Sequence, residues 1–226
     1  MNMLLIGLIA SIISLISPDS RVRAEISADE SLKYSLVVDG NCIIKDAELS
    51  MSLDDGTVWG RGRLLSVSRS SDDTVLQSPF YRKAQVRDIY NQVRLRFKGH
   101  SVVFRLADDA FSWRFEADMR KPYKVLSEQA SFRFVEDYGA YVSYTHKYPR
   151  SLESQFCDDF ENVYSYAPLS CWDKEHMAHL PLMVELPRGM KAVIAESDLL
   201  SYPGMFLYNT DSDTQLEGLF ASVPDR

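Results

Sequence analysis

The carboxylates come in neighbouring pairs: Asp54-Asp55, Asp72-Asp73, Asp108-Asp109 and Asp158-Asp159. Adjacent side chains on an extended chain point to opposite faces, and Asp readily accepts hydrogen bonds from nearby backbone N–H groups, so each pair reads as a solvated turn. Two carboxylates that work together on a glycosidic bond must instead face each other across it. Of the four histidines, His100, His146, His176 and His179, the last two follow Cys171 in a C-x4-H-x2-H spacing. Such a set could touch a transition metal, but it matches no common zinc pattern and lacks a fourth ligand. His179 stands before Leu180-Pro181-Leu182, where a strand is expected to begin. The sequence holds no G-x-S-x-G elbow, P-loop, G-x-G-x-x-G or H-E-x-x-H. An aromatic run, Tyr138 to Tyr148, could stack on sugar rings or pack between sheets, and packing is the better expectation.

The elements that would carry these residues are strands. Arg21 to Ile26 and Leu32 to Val38 alternate and are separated from the next segment by Asp39-Gly40-Asn41. Asn91 to Phe97, His100 to Leu106 and Ala110 to Glu116 predict an antiparallel meander, with turns at Lys98-Gly99 and Asp108-Asp109. Ser131 to Phe134, Tyr141 to Tyr144, Leu182 to Glu185, Met190 to Ile194 and Gly204 to Tyr208 are further short strands, with Pro187-Arg188-Gly189 as a hairpin turn. No stretch keeps a capped helical period for more than a turn or two. The expected fold class is all-β, a sandwich of antiparallel sheets in one domain. Asn209 to Arg226 reads as a tail or the start of a linker.

The chain has 226 residues, 25 Lys+Arg and 32 Asp+Glu, hence a net charge of −7. That balance argues against general binding to nucleic acid, which needs cations against phosphates. At 46% hydrophobic residues the composition is globular. Three cysteines, Cys42, Cys157 and Cys171, are no disulfide framework, although a Cys157–Cys171 bridge is open to an exported chain. Met1 to Ser17 carries no charge and is short for a membrane span. Residues 1–16 are expected to be an export signal, though without the usual leading cation, and Ile12 to Ile16 is alternatively a buried first strand. The body, 17–226, would then be periplasmic or secreted and would not span a membrane.

Several segments, in order, resemble the N-terminal domain of glycoside hydrolase family 97. Ser17-Pro18-Asp19-Ser20 is similar to its S-P-D-G opening, and Leu32-Lys33-Tyr34-Ser35-Leu36 with Asp39-Gly40 to its next hairpin. Val86-Arg87-Asp88-Ile89-Tyr90-Asn91 resembles V-R-x-x-Y-N-E, with Gln92 in the place of Glu. Phe104 to Phe115 resembles F-R-x-Y-D-D-G-x-A-F-R-Y, with Ala110 replacing the turn glycine. Tyr164 to Ser170 is similar to Y-x-x-x-P-L-S. Then His179-Leu180-Pro181-Leu182, Ala195-Glu196 and Tyr202-Pro203-Gly204-Met205 track H-T-P-L, H-E-A and D-Y-x-G-M, with Ala195 where His is common and Ser201 where Asp is common.

The resemblance implies a galactose-mutarotase-like β-super-sandwich that supports a (β/α)8 barrel holding the catalytic carboxylates of an exported bacterial α-glucosidase or α-galactosidase. It implies no catalytic residue in this chain, and α-linked oligosaccharide as the substrate of the whole. It also implies a calcium ion in the barrel that takes one ligand from the N-terminal domain, at the position of Glu196, and it puts His179 near the same substrate-facing region. A hard cation needs six to eight oxygens, so one carboxylate is a partial site. Two other readings are a free-standing carbohydrate-binding module, stacking sugars on exposed Tyr141, Tyr144, Tyr148 and Trp172, and an envelope structural protein.

Overall fold

The computed structural model describes residues 12–78, 82–145, 151–157, 162–197, 199–200, 202–209 and 214–222. His146, Tyr148, Asp158-Asp159, Ser201 and residues 1–11 of the apolar N-terminus lie outside the described residues. In chain order the strands are β1 (Ile13–Ile16), β2 (Val22–Ala28), β3 (Leu32–Val38), β4 (Asn41–Leu53), β5 (Val58–Trp59), β6 (Ser66–Gln77), β7 (Gln85–Arg96) and β8 (His100–Leu106). They continue as β9 (Phe111–Ala117), β10 (Val125–Arg133), β11 (Gly139–Val142), β12 (Ser165–Pro168), β13 (Leu182–Glu185), β14 (Lys191–Ile194), β15 (Met205–Asn209) and β16 (Gln215–Phe220). Every named pairing is antiparallel, and helix among the described residues is confined to short 3-10 turns. The fold class is therefore all-β, as the alternating segments predict. No helix among the described residues is long and apolar enough to cross a membrane.

The chain divides into two compact units, residues 1–40 with 59–122, and residues 41–58 with 123–226. In the first, the β1–β2–β3 layer faces the β6–β7–β8–β9 meander. Leu15, Ala24, Ile26 and Tyr34 from one layer and Val93, Leu95, Val102 and Phe104 from the other are buried. The Tyr34 ring meets Phe111 at 5.2 Å and Trp113 at 5.4 Å between ring centres, which closes the sandwich at β9. Ile13–Ile16 pairs with β2, so the last residues of the N-terminal apolar run form a strand with Leu15 buried.

In the second unit, β4, β10, β16 and β15 lie side by side, and β12, β11, β13 and β14 form a smaller sheet. Ala178 joins the two: its N–H donates to the Leu207 carbonyl at 2.7 Å and its own carbonyl accepts from Leu207 N–H at 2.9 Å. Residues 209–226 are not merely a tail. Gln215–Phe220 is β16, paired on one side with β10 and on the other with β15. Glu217 is buried there, its Oε1 accepting from Ser131 Oγ at 2.6 Å and from Gln215 Nε2 at 2.7 Å. A β-carbon on Gly218 would lie 2.8 Å from Met205 Sδ and 3.1 Å from Ala130 Cβ, so a side chain there would have to push Met205 and Ala130 aside.

The aspartate pairs divide. Asp54 and Asp55 occupy a turn, accepting from the N–H groups of Lys124 and Thr57, and Asp108 accepts from Asp19 N–H at 2.8 Å beside its own turn. Asp72-Asp73, expected in a turn, instead lies inside β6, where Asp73 pairs with Arg87 across the ladder. The turn reading fails there because a cross-strand arginine satisfies the carboxylate without any bend in the chain. Cys42, Cys157 and Cys171 are exposed free thiols, so no bridge joins the last two.

Candidate functional site

The residues that precede β13 and follow β14 share one end of that hairpin, since Leu182 pairs with Ile194. His179 comes before it and Glu196 after it. The hairpin reverses at Pro187–Gly189, where Arg188 takes a left-handed conformation with φ of 62°. Its register is also held by Tyr166 Oη, which donates to Glu185 Oε2 at 2.9 Å, and by the Lys191–Glu185 ion pair.

Both predicted site residues converge on the first two residues of β15. The carboxylate of Glu196 accepts the Met205 N–H with both oxygens, at 3.0 and 2.9 Å. The ring of buried His179 packs on Phe206, 5.2 Å between centres. The backbone of His179 is fixed by its N–H, which donates to the Ser143 carbonyl at 2.8 Å. Gly204 allows the close approach: a β-carbon there would stand 3.3 Å from Glu196 Oε1.

The approach to His179 is set by Gln155. Its Nε2 donates to the Glu175 carbonyl at 2.9 Å, its Oε1 accepts from Met177 N–H at 2.9 Å, and Thr145 Oγ1 donates to the same oxygen. A buried amide used at both ends fixes the loop as firmly as a short strand would.

Two further residues complete the neighbourhood, and the sequence reading misses both. Glu128 on β10 is hydrogen-bonded to the Tyr202 phenol and lies within electrostatic reach of Glu196. Burial raises the Glu128 carboxyl above its ordinary range, the Tyr202 hydrogen bond opposes that rise, and the Glu196 charge adds to it. Burial likewise raises Glu196, partly offset by the Met205 N–H. The Tyr202 phenol is raised by burial first and then by the Glu128 charge. Glu128 sits in a strand of mixed polar and apolar residues with no spacing that marks it. Tyr202, by contrast, lies in the Tyr202-Pro203-Gly204-Met205 segment already singled out.

Glu128 and Glu196 thus stand near each other, with neither ion-paired to a Lys or Arg among the described residues. Among the described residues no group of three or more His, Cys, Asp or Glu could hold a metal ion alone. Cys171, His176 and His179 do not come together as ligands: His176 Nδ1 pairs with Asp173 Oδ2 at 2.8 Å, and His179 is buried against Phe206. The sugar-stacking set changes too. Trp172, expected to be exposed, is 5% exposed and packs edge-on against Tyr144, whose oxygen accepts from Asp173 N–H. Tyr141 instead meets the exposed Tyr166, at 4.8 Å.

Residues 15–224 match the family model described as Glycosyl-hydrolase 97 N-terminal. The chain belongs to that family. A retaining alpha-galactosidase of Bacteroides thetaiotaomicron is 37% identical over 216 residues, which is 94% of this chain and 33% of the relative. Among solved structures, a glycoside hydrolase family 97 enzyme from Pseudoalteromonas sp. strain K8, in complex with acarbose, superposes with a TM-score of 0.76 at 20% identity. It is matched over 92% of this chain and 32% of its own. A beta-arabinopyranosidase superposes with a TM-score of 0.80 at 19% identity, over 93% of this chain and 35% of its own. These two likenesses establish the fold. The chain spans about a third of the length of the curated relative it matches. The resemblance read from the short motifs is thereby borne out, and the chain is the N-terminal domain of a family 97 glycosidase.

Proposed function

We propose that this domain supports the (β/α)8 catalytic barrel of an exported, calcium-dependent α-glycosidase and lends it the carboxylate of Glu196. The observation that carries the reading is the family match over residues 15–224, set beside relatives about three times as long. The whole enzyme would hydrolyse α-linked oligosaccharides. The 37% identity to a retaining alpha-galactosidase favours an α-galactoside over a glucoside, and favours retention of configuration. Retention requires two carboxyl groups about 5–5.5 Å apart, one acting as nucleophile and one as acid then base. Both are assigned to the barrel, so this chain is inactive alone.

Calcium would supply positive charge beside the bound sugar. Toward it the chain contributes a carboxylate held in place by Met205 N–H, with Glu128 adding negative charge nearby and Gly204 leaving space. His179, packed on Phe206, keeps the start of β15 in register with that carboxylate and lies beside the substrate-facing region. The apolar N-terminus fits export to the periplasm or beyond.

The test has two parts. The purified 226-residue chain should hydrolyse neither nitrophenyl α-galactoside nor nitrophenyl α-glucoside, and measurable turnover overturns the reading. In the longer protein with its barrel, Glu196→Gln should weaken calcium binding at least tenfold by titration calorimetry, while unchanged affinity removes Glu196 from the ligand set.

A further inference from the structure

Strand β6 is the outer strand of the β6–β7–β8–β9 sheet and is exposed along nearly its whole length of 12 residues. A long unpaired edge is a template for another strand unless something blunts it. Within β6 neither a proline nor a bulge does so, since its ladder with β7 runs from Ser66↔Arg96 to Gln77↔Gln85 without a break in register; what guards the edge is the charge of Arg69, Asp72 and Asp73.

The direction of its free backbone groups follows from that ladder. Ser78 N–H donates to the Ala84 carbonyl, in step with the same register. Hydrogen-bonded residues alternate along an antiparallel pair. Even-numbered residues of β6 therefore turn N–H and C=O toward β7, and Val67, Arg69, Ser71, Asp73 and Val75 turn theirs outward. Beside the middle of the strand is an open groove of about 410 Å³ lined in part by Arg69, Ser70, Ser71 and Asn91.

We propose that β6 pairs antiparallel with β6 of a second copy of this chain, on a twofold axis through Ser71. Only outward-facing residues can form the new hydrogen-bonded pairs, which restricts the register to odd-with-odd pairing. With the axis at Ser71, Arg69 stands opposite Asp73 of the copy, and Asp73 opposite its Arg69. Val67 and Val75 face each other in the same way, and Asp72 faces Ser70. All the outward-facing residues in this set lie on one face, the face on which Asp73 already receives the bidentate Arg87. A shift by one pairing step in one direction sets Asp72 against Asp72, like against like. A shift in the other direction sets Val67 against Asp73 and leaves Arg69 facing serine. The charge pattern is thus self-complementary in one register, as a twofold interface requires. The product is a continuous eight-stranded sheet across two copies, with the groove leaving room for side chains of the incoming strand.

Sedimentation velocity on the 226-residue chain over a concentration series tests this. Wild type should show a monomer–dimer equilibrium. R69D and D73R should each weaken dimerisation at least tenfold, because each change places two like-charge pairs in the interface. An equimolar mixture of the two variants should regain a dimer, since both cross-copy pairs then become opposite in charge. S71P removes an outward N–H on the axis while sparing the β7 ladder. It should yield a monomer with unchanged strand signal by circular dichroism. If D73R fails to fold, R69D and S71P decide the matter. A wild-type chain that is monomeric at every concentration, or a dimer that survives R69D and S71P, overturns the proposal.

Discussion

The two units are built from similar strands but spend their polar residues differently. In the first, the largest buried polar side chain among the described residues is an imidazole: His100 is stacked between Phe97 at 4.8 Å and Trp59 at 5.3 Å, and its Nε2 accepts the Gly60 N–H at 3.0 Å. In the second, acidic side chains collect beside the loops that flank β13, β14 and β15. The first arrangement is closed, with aromatic rings stacked on both faces of the imidazole. The second places two carboxylates, Glu128 and Glu196, near each other, and burial raises both above their ordinary range. Stacked burial serves the fold, whereas polar residues gathered beside loops are where the proposed function looks for shared chemistry.

The strongest challenge to the closed character of the first unit is Phe104→Ala. Phe104 is fully buried in β8 against Phe111, and its truncation should cost about 3–5 kcal/mol, read as a lower urea midpoint. An unchanged midpoint would mean this layer is not the core of the unit.

Acid should come next in size. Burial lowers the His100 pKa from 6.5 to about 4. The unfolded chain therefore takes up a proton near pH 6.5 that the folded chain refuses until about pH 4. The His100 contribution is fully present above the unfolded value and is lost as pH falls from 6.5 toward 4, at most about 3 kcal/mol. Protonation would set an N–H on Nε2 against the Gly60 N–H, which is the physical source of the loss. His100→Phe should flatten the stability profile across that window. A parallel profile for the variant would assign the acid sensitivity elsewhere.

For the second unit, Ser131→Ala removes one of two donors to buried Glu217 and should cost about 1–2 kcal/mol at neutral pH. Glu217→Gln in the same background should recover part of it, since the amide carries less charge to satisfy. Smallest is Arg188→Gly at the tip of the β13–β14 hairpin. It relieves the left-handed backbone and should change stability by less than about 1 kcal/mol, toward stabilisation. A loss larger than that would show that the Arg188 side chain matters more than its backbone.

The units also differ in how plainly the sequence announces them. Leu32–Val38, His100–Leu106 and Leu182–Glu185 match their predicted limits residue for residue, because each alternates and ends at a turn signal. The long β4 escapes notice because Asp46, at φ of 51°, interrupts its period: Ile43 and Ile44 are both buried, Lys45 and Asp46 both exposed, and regular alternation resumes only at Ala47. β6 escapes for the opposite reason, being exposed at every residue but Asp72 with no apolar face to detect. β16 is short and carries a buried Glu and a Gly, neither of which reads as strand interior without its neighbours. Of the site, Glu196 and His179 were legible only through a chain of short motifs. Glu128 was not, since its neighbours Tyr202 and Glu196 come from loops distant in sequence.

The placement of β10 has a consequence for the order in which the molecule is made. The first unit has all its strands once the ribosome has delivered residue 117. The second cannot close then, because β4, made early, pairs with β10, and β10 pairs with β16, which ends at Phe220. Until those last residues emerge, β10 presents an open edge to whatever surrounds the nascent polypeptide. A translational stall shortly before Gln215 would therefore release a chain with one finished half and one adhesive half.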